Sequence, residues 1–134
     1  MVIMGCGGLG ATVATSLTDQ GHVLHILDVT ADAFDRLPVG LIEAEQIVPL
    51  VGDGTSERDL MKASIQDSTV FMALSGSDTQ NALAAQIAKQ VFQVQTVICR
   101  IDDPSKEEVY NDLGIVAVSA IKLVREVVVG AATA

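Results

Sequence analysis

Met1-Val2-Ile3-Met4-Gly5-Cys6-Gly7-Gly8-Leu9-Gly10 is the stretch that decides the fold. Its first four residues are apolar and predict a buried strand, and the next six match G-x-G-x-x-G where a helical pattern begins, over Gly8–Asp19. In such a turn Gly5 permits a sharp bend, Gly7 leaves room for a pyrophosphate, and Gly10 lets the helix lie close to the strand. Free backbone N–H groups at the helix start, with the positive helix end, can then hold a phosphate.

Short apolar runs and helical patterns alternate along the rest of the chain. Most runs lack polar alternation, which is typical of strands covered on both faces of a parallel sheet. The predicted strands are Met1–Met4, His22–Leu27, Ile47–Val51, Thr69–Leu74, Thr96–Ile101 and Ile115–Val118. The predicted helices are Gly8–Asp19, Glu57–Ala63, Asp78–Val91, Pro104–Leu113 and Ala120–Val129, with a short helix and a loop in Thr30–Gln46.

Local signals refine these helices. Ser56 and Ser77, each followed three residues later by Asp59 or Gln80, predict capping boxes, and Ser119 predicts a cap for the last helix. The four-residue spacing of two apolar sets predicts the buried helix faces. These sets are Leu9, Val13 and Leu17 in the first helix, and Leu83, Ile87 and Val91 in the helix after strand four.

The alternating order predicts an α/β fold: a Rossmann-like, doubly wound parallel sheet of six strands in the order 3-2-1-4-5-6. A ligand crevice is expected at the carboxyl ends of strands 1 and 4, where the strand order reverses. The 134 residues predict one domain, with a Rossmann core over 1–119 and a C-terminal helix and tail over 120–134. That length leaves no room for a separate substrate domain.

Composition excludes several classes of protein. Eight Lys and Arg against 17 Asp and Glu give a net charge of −9, which disfavours binding to nucleic acid and to anionic lipid. The two cysteines, Cys6 and Cys99, are too few for a disulfide framework or a zinc site and fit a reduced cytosolic protein. The most apolar segment, Ile115–Ala134, is interrupted by charged residues, so we expect a soluble protein without membrane insertion.

Asp28 closes the second predicted strand, 18 residues after Gly10. A carboxylate at this position can accept hydrogen bonds from both hydroxyls of a ribose, and it repels a 2′-phosphate. The combination of strand, glycine turn, helix and acid therefore favours NAD or another adenosine nucleotide over NADP.

Other candidates carry open alternatives. The turns Gly52-Asp53-Gly54-Thr55 and Ser75-Gly76-Ser77-Asp78 should lie at the same sheet edge, where Asp53 and Ser75 could contact a ligand or only shape the turn. Arg100 interrupts an apolar run and needs a partner, which could be Asp102 or Asp103 or a ligand phosphate.

The chain shows no recognisable catalytic set. His22 and His25 lie within the second predicted strand, Tyr110 has Gly114 rather than Lys four residues later, and no metal-ligand cluster is evident. We therefore predict a binding protein rather than an enzyme. The alternatives are an NAD-dependent oxidoreductase or its isolated cofactor-binding domain, and an interaction domain whose crevice stays empty.

A succession of motifs along nearly the whole chain resembles the N-terminal domain of RCK proteins, also called the KTN or TrkA-N domain. The glycine motif is generic, whereas the Gly-Asp turn after strand three together with the Arg-x-x-Asp-Pro segment is more specific. The matching residues are Val2-Ile3-Met4-Gly5-Cys6-Gly7, Asp28, Gly52-Asp53-Gly54-Thr55, Ser77-Asp78 with Asn81, Arg100-Ile101-Asp102-Asp103-Pro104, and Leu113-Gly114-Ile115.

The resemblance implies a cytoplasmic regulatory subunit or domain of potassium uptake systems and channels, held at the inner face of the membrane by a transporter or channel subunit. It implies binding of NAD(H), ATP, ADP or AMP, and assembly as homodimers or rings. By position, the motif glycines and Arg100 would lie near phosphate, Asp28 near ribose, Asp53 and Thr55 near adenine, and Ser75 near ribose or phosphate. The full candidate set is Gly5, Cys6, Gly7, Gly8, Leu9, Gly10, Asp28, Val29, Asp53, Gly54, Thr55, Ser75, Gly76 and Arg100.

Two further expectations follow from the resemblance. The segment Ala120–Val129 matches the region that relatives use to cross over to a second subunit, although its apolar residues fit packing on its own sheet equally well. Many relatives carry a basic residue where Gly8 stands, so this chain offers less positive charge to a triphosphate. We therefore expect NAD(H) or a diphosphate rather than ATP.

Overall fold

The computed structural model describes all residues, 1–134, and contains a six-stranded parallel sheet in the order β3-β2-β1-β4-β5-β6. This confirms the predicted fold class and strand order. The strands are β1 (Val2–Met4), β2 (Leu24–Asp28), β3 (Ile47–Val51), β4 (Val70–Ala73), β5 (Thr96–Arg100) and β6 (Val116–Val118). The helices are α1 (Gly8–Asp19), α2 (Val39–Glu43), α3 (Glu57–Lys62), α4 (Asp78–Gln90), α5 (Glu107–Asp112) and α6 (Ala120–Thr133).

The segment predicted as a short helix and a loop contains a 3₁₀ turn, Ala31–Arg36, followed by α2, and most other boundaries shift by a single residue. Larger differences occur in three places. Strand β2 begins at Leu24 rather than His22, because the backbone N–H of His22 donates to Leu17 O and closes α1 instead. The predicted helix over Pro104–Leu113 divides into a 3₁₀ turn, Pro104–Lys106, and α5. Helix α6 continues to Thr133, since a single glycine costs a helix only about 1 kcal/mol.

Small residues, rather than the large apolar ones, bring the two main helices against the sheet. In α1 the buried positions are Gly10, Ala11, Ala14 and Thr18, while Leu9 is 41% exposed. In α4 they are Asn81, Ala82, Ala84, Ala85 and Ala88, while Leu83 and Val91 are about half exposed. Val13, Leu17 and Ile87 are half-buried against the core, whereas Leu9, Leu83 and Val91 are exposed, so each predicted face was correct only in part. Alanine allows a closer helix–sheet approach than leucine, and that close approach turns the longer side chains outward.

The register of the parallel strands aligns their carboxyl ends. Met4 pairs with Leu27 of β2 on one side and with Ala73 of β4 on the other. The turns that follow β1, β2 and β4 therefore emerge side by side at one sheet edge. Two apolar clusters, of 17 and 10 buried residues, form the core.

Helix α6 lies outside this core, because none of its residues is buried. No helix of the structure combines the length and the apolar character needed to cross a bilayer.

Candidate functional site

A crevice of about 330 Å³ opens at the carboxyl edge of the sheet, where the chain order reverses beside β1. Seven predicted residues line it: Gly5, Asp28, Val29, Asp53, Gly54, Ser75 and Gly76. The other lining residues are Met4, Leu27, Gly52, Ser77 and Gln80. The structure thus brings together candidates from four separate loops, as expected for a site at a topological switch point.

The glycine turn brings the end of β1 against the end of β4. Gly5 adopts a φ of +101°, and a Cβ there would lie 2.8 Å from the backbone N of Ser75. A Cβ on Gly10 would overlap the carbonyl oxygen of Gly5, so α1 starts directly against the turn. Gly7 and Gly8 face open space, and no side chain caps α1. The start of α1 is therefore accessible to an anion.

Asp28 is held in place by backbone donors from two segments. Its Oδ2 accepts a hydrogen bond from the N–H of Cys6 at 2.9 Å, and its Oδ1 accepts one from the N–H of Thr30 at 3.0 Å. A carboxylate oxygen can accept more than one hydrogen bond, so both oxygens keep capacity for a ligand hydroxyl. Asp28 therefore joins β2 to the glycine turn in addition to facing the crevice.

The thiol of Cys6 lies in the core rather than in the crevice. It is buried and donates to the carbonyl oxygen of Ala33 at 3.4 Å. Burial, reinforced by the negative charge of Asp28, raises the pKa of the Cys6 thiol. Cys6 therefore contributes a backbone N–H to the loop, while its side chain belongs to the core.

Thr55 holds the carboxylate of Asp53 in place through two hydrogen bonds. Its Oδ1 accepts hydrogen bonds from the Thr55 hydroxyl at 2.7 Å and from the Thr55 N–H at 2.8 Å, and these lower the pKa of the Asp53 carboxyl. Thr55 itself does not line the crevice. The Asp53 N–H donates to Asp59 Oδ2 at 2.9 Å, and the Ser56 N–H donates to the carbonyl oxygen of Asp53 at 3.0 Å rather than to Asp59 as a capping box requires. Only the Ser56 half of that predicted box forms.

The sequence patterns did not predict the structural role of the Asn81 side chain. It is fully buried, and its Oδ1 accepts from the N–H and the hydroxyl of Ser75. Its Nδ2 donates to the carbonyl oxygens of Ser75 and Arg100. One side chain thus joins the turn after β4 to the end of β5. A polar residue among the alanines of a buried helix face was the available signal.

The side chain of Arg100 forms an ion pair with an acid of the same chain. Its Nε and Nη2 donate to the two carboxylate oxygens of Asp102, both at 3.0 Å. Of the two acids considered as partners, the structure shows Asp102. Asp103 instead accepts from Ser105, which lowers the pKa of its carboxyl. The Arg100 side chain does not line the crevice.

The remaining candidates lie beside the crevice rather than in its walls. Gly8 borders a second groove of about 320 Å³ along α1, which Arg36 also lines. No lysine or arginine lines the crevice itself. The crevice residues outside the candidate set are Met4, Leu27, Gly52, Ser77 and Gln80, and the two polar ones come from the first turn of α4 and its cap.

The titratable groups considered for catalysis lie elsewhere. His22, His25 and Tyr110 do not line the crevice. His25 is half-buried, and burial lowers its pKa. No cluster of three His, Cys, Asp or Glu residues could hold a metal ion.

A parallel sheet in this order, with a glycine turn and an acid at the reversal point, defines a Rossmann-like domain with a switch-point crevice. The TrkA-N domain family model matches residues 1–121, and the chain belongs to that family.

Relatives with similar sequences are named as potassium uptake proteins. The Trk system potassium uptake protein TrkA of Streptomyces coelicolor is 35% identical over 122 residues, which cover 91% of this chain and 53% of the relative. A TrkA homolog of Pyrococcus horikoshii is 34% identical over 115 residues, covering 84% and 48%. The chain spans about half the length of these relatives, and their names describe potassium uptake proteins rather than enzymes.

Solved structures share the fold. The TrkA-N domain of the inner membrane protein ybaL from Escherichia coli superposes with a TM-score of 0.81 at 11% identity, covering 96% of this chain and 93% of that one. The GsuK channel bound to NAD superposes with a TM-score of 0.68 at 20% identity, covering 89% and 21%. At these identities the similarity establishes the architecture alone.

Proposed function

We propose that this chain is a nucleotide-sensing regulatory domain for potassium transport, which binds NAD(H) in the crevice at the carboxyl ends of β1, β2 and β4. The observation that carries the proposal is an uncapped, glycine-bounded helix start that adjoins a crevice lined by an oriented carboxylate, Asp28. Potassium uptake relatives and an NAD-bound channel of the same fold support it.

The site chemistry favours a ligand of limited charge. Backbone N–H groups at Gly7 and Gly8 suit a pyrophosphate, and Asp28 suits a ribose diol. The crevice contains Asp28 and Asp53 but no lysine or arginine, and Gly8 supplies no cation. We therefore place NAD(H) first and ADP or AMP next, with ATP less favoured because no lysine or arginine lines the crevice and Arg36 lies in the separate groove along α1.

Self-association is the second part of the proposal. The apolar side chains of α6 are more than half exposed, namely Ile121, Leu123, Val124, Val127 and Val128. A continuous apolar helix face of this kind is typical of a protein–protein interface. We propose that a second copy covers it, in a homodimer or a larger ring that contacts a membrane-embedded potassium transporter or channel subunit from the cytoplasmic side.

Regulation would then be a population shift. A nucleotide that binds one arrangement of the dimer better than another biases the attached pore, with a coupling free energy of about 1–3 kcal/mol. No covalent chemistry is required, and we propose that the chain is not an oxidoreductase. Steady NADH oxidation with candidate carbonyl substrates, followed by absorbance, would contradict this part.

The deciding experiment is calorimetric titration of the purified chain with NAD+, NADH, ADP, AMP and ATP. We expect binding of NAD(H), and a loss of at least about tenfold in affinity for Asp28→Asn, which keeps the size of the side chain but removes its charge. Asp32→Asn, at an exposed residue in the 3₁₀ turn Ala31–Arg36, is the matched control and should bind normally. Absence of any adenine-nucleotide binding by the wild type would overturn the proposal.

The link to transport needs a cellular measurement. Deleting the gene from its host should slow potassium uptake, and the wild-type gene should restore it. Restoration by Asp28→Asn to the same level would show that nucleotide binding at this crevice does not control transport.

A further inference from the structure

The first turn of α4 contains a side chain that the predicted capping box does not engage. Ser77 accepts from the N–H of Gln80 at 3.3 Å, which is the expected half of the box. The N–H of Ser77 donates to the hydroxyl of Ser75 at 3.3 Å instead of to the Gln80 side chain. Gln80 is exposed and lines the crevice, so its amide remains available to a ligand there.

The two sides of the crevice differ in chemistry. Both carboxylates lie on the other side: Asp28 is the last residue of β2, and Asp53 follows β3. On the β4 side the polar side chains are Ser75, Ser77 and Gln80. Of these, only Gln80 has an amide NH₂ with two donors. Gly76 lies beside them, and a Cβ there would meet nothing within 4 Å, so this side has room for a ligand.

The order of the strands places Gln80 and Asp28 on opposite sides of β1. Asp28 ends β2, β1 lies between β2 and β4, and Gln80 follows β4. A ligand whose adenosine ribose contacts Asp28 sets its phosphates over the turn after β1. Anything attached beyond those phosphates extends toward the β4 side. AMP and ADP end at the phosphates, whereas a dinucleotide continues with a second nucleoside.

We propose that Gln80 binds the second nucleoside of a dinucleotide and thereby distinguishes NAD(H) from AMP and ADP. The amide donates to the ribose or carboxamide oxygens of that half and can also accept from its hydroxyls. This inference rests on the proposed function, because it takes Asp28 as the contact for the adenosine ribose.

The test compares the affinities of Gln80→Ala for NAD+, ADP and AMP by calorimetry with those of the wild type. We expect NAD+ to bind about tenfold more weakly, while ADP and AMP change by less than about twofold. Gln90→Ala removes the same amide from an exposed position at the other end of α4 and should leave all three affinities unchanged. The melting temperatures of both variants check that each is folded.

The outcomes separate this inference from the proposed function. Wild-type binding of NAD+ with an unchanged affinity in Gln80→Ala would overturn the role of Gln80 alone. Equal losses for all three ligands would place Gln80 at the adenosine half and overturn it as well. Failure of the wild type to bind any of the three would overturn the proposed function itself.

Discussion

The backbone N–H of Cys6 donates to the carboxylate of Asp28 across 2.9 Å, which couples the glycine turn to the end of β2. The acid proposed to hold the ribose therefore also shapes the loop proposed to hold the phosphate. Hydrogen bonds to a charged acceptor are worth more than neutral ones, about 1.5–3 kcal/mol in other proteins. A change at Asp28 should consequently affect both stability and binding.

Asp28→Ala should lower the free energy of unfolding by about 1–3 kcal/mol, because the N–H groups of Cys6 and Thr30 lose their acceptor. Urea denaturation measures this. Asp35→Ala, an exposed acid in the neighbouring 3₁₀ turn, provides the comparison. Equal stabilities for the two variants would show that the carboxylate does not support the loop.

Asn81→Ala should destabilise the protein by about 2–4 kcal/mol. The substitution removes four hydrogen bonds at a fully buried position and leaves backbone groups of Ser75 and Arg100 without partners. The denaturation midpoint should fall sharply, whereas Gln90→Ala should leave it nearly unchanged. A midpoint for Asn81→Ala within error of the wild type would contradict the network.

Gly10→Ala and Gly8→Ala should differ strongly although both lie in the same motif. A Cβ at Gly10 overlaps the backbone of Gly5, whereas at Gly8 it meets nothing within 4 Å. We expect Gly10→Ala to lose several kcal/mol of stability or to misfold, and Gly8→Ala to melt close to the wild type. Thermal unfolding followed by circular dichroism distinguishes them, and similar melting curves would contradict the predicted clash.

Gly8→Arg should raise the affinity for ATP relative to AMP, because the new guanidinium stands at the start of α1 where terminal phosphates are expected. The open space around Gly8 accommodates the side chain. Calorimetric titration with both nucleotides gives the ratio, and Gly8→Gln, which adds length without charge, controls for size. An unchanged ATP-to-AMP ratio would argue against phosphates at this position.

Both cysteines should be unreactive in the folded protein. Burial raises the pKa of Cys99 to about 12 and also raises that of Cys6. With a raised pKa, the folded protein keeps its thiol protons to a higher pH than the unfolded chain does. The free energy of unfolding should therefore fall as the pH rises from the ordinary thiol range toward about 12. Ellman's reagent at mildly alkaline pH should detect two thiols only after denaturation, and rapid reaction of the native protein would refute this.

Two charges on α6 should abolish self-association without unfolding the domain. Val124→Glu with Val128→Glu disrupts the exposed apolar face, and no residue of α6 is buried in the single chain. Sedimentation velocity should show a monomer, and thermal unfolding should show an unchanged melting temperature. Thr133→Glu, which the helical repeat places on the opposite side from Val124, should stay associated. Monomeric wild-type protein at high concentration would rule out this interface.

Much of the architecture was determined by local sequence. Apolar runs without alternation, glycines at the turns, and the capping serines Ser56, Ser77 and Ser119 are local signals, and they were sufficient to predict the strand order and most helices. The crevice followed from that order, since parallel strands bring their carboxyl ends to one edge. Asp28 was predictable because its place at the end of β2 is a matter of position along the chain.

Tertiary structure alone decided which groups each side chain meets. It turned Leu9 and Leu83 outward, paired Arg100 with Asp102, buried Asn81 between two strand ends, and left the Gln80 amide at the crevice. The physical reason is that helix rotation depends on how closely a helix can approach the sheet. Hydrogen-bond partners depend on groups that are distant in sequence, and neither is recorded in the periodicity of a single segment.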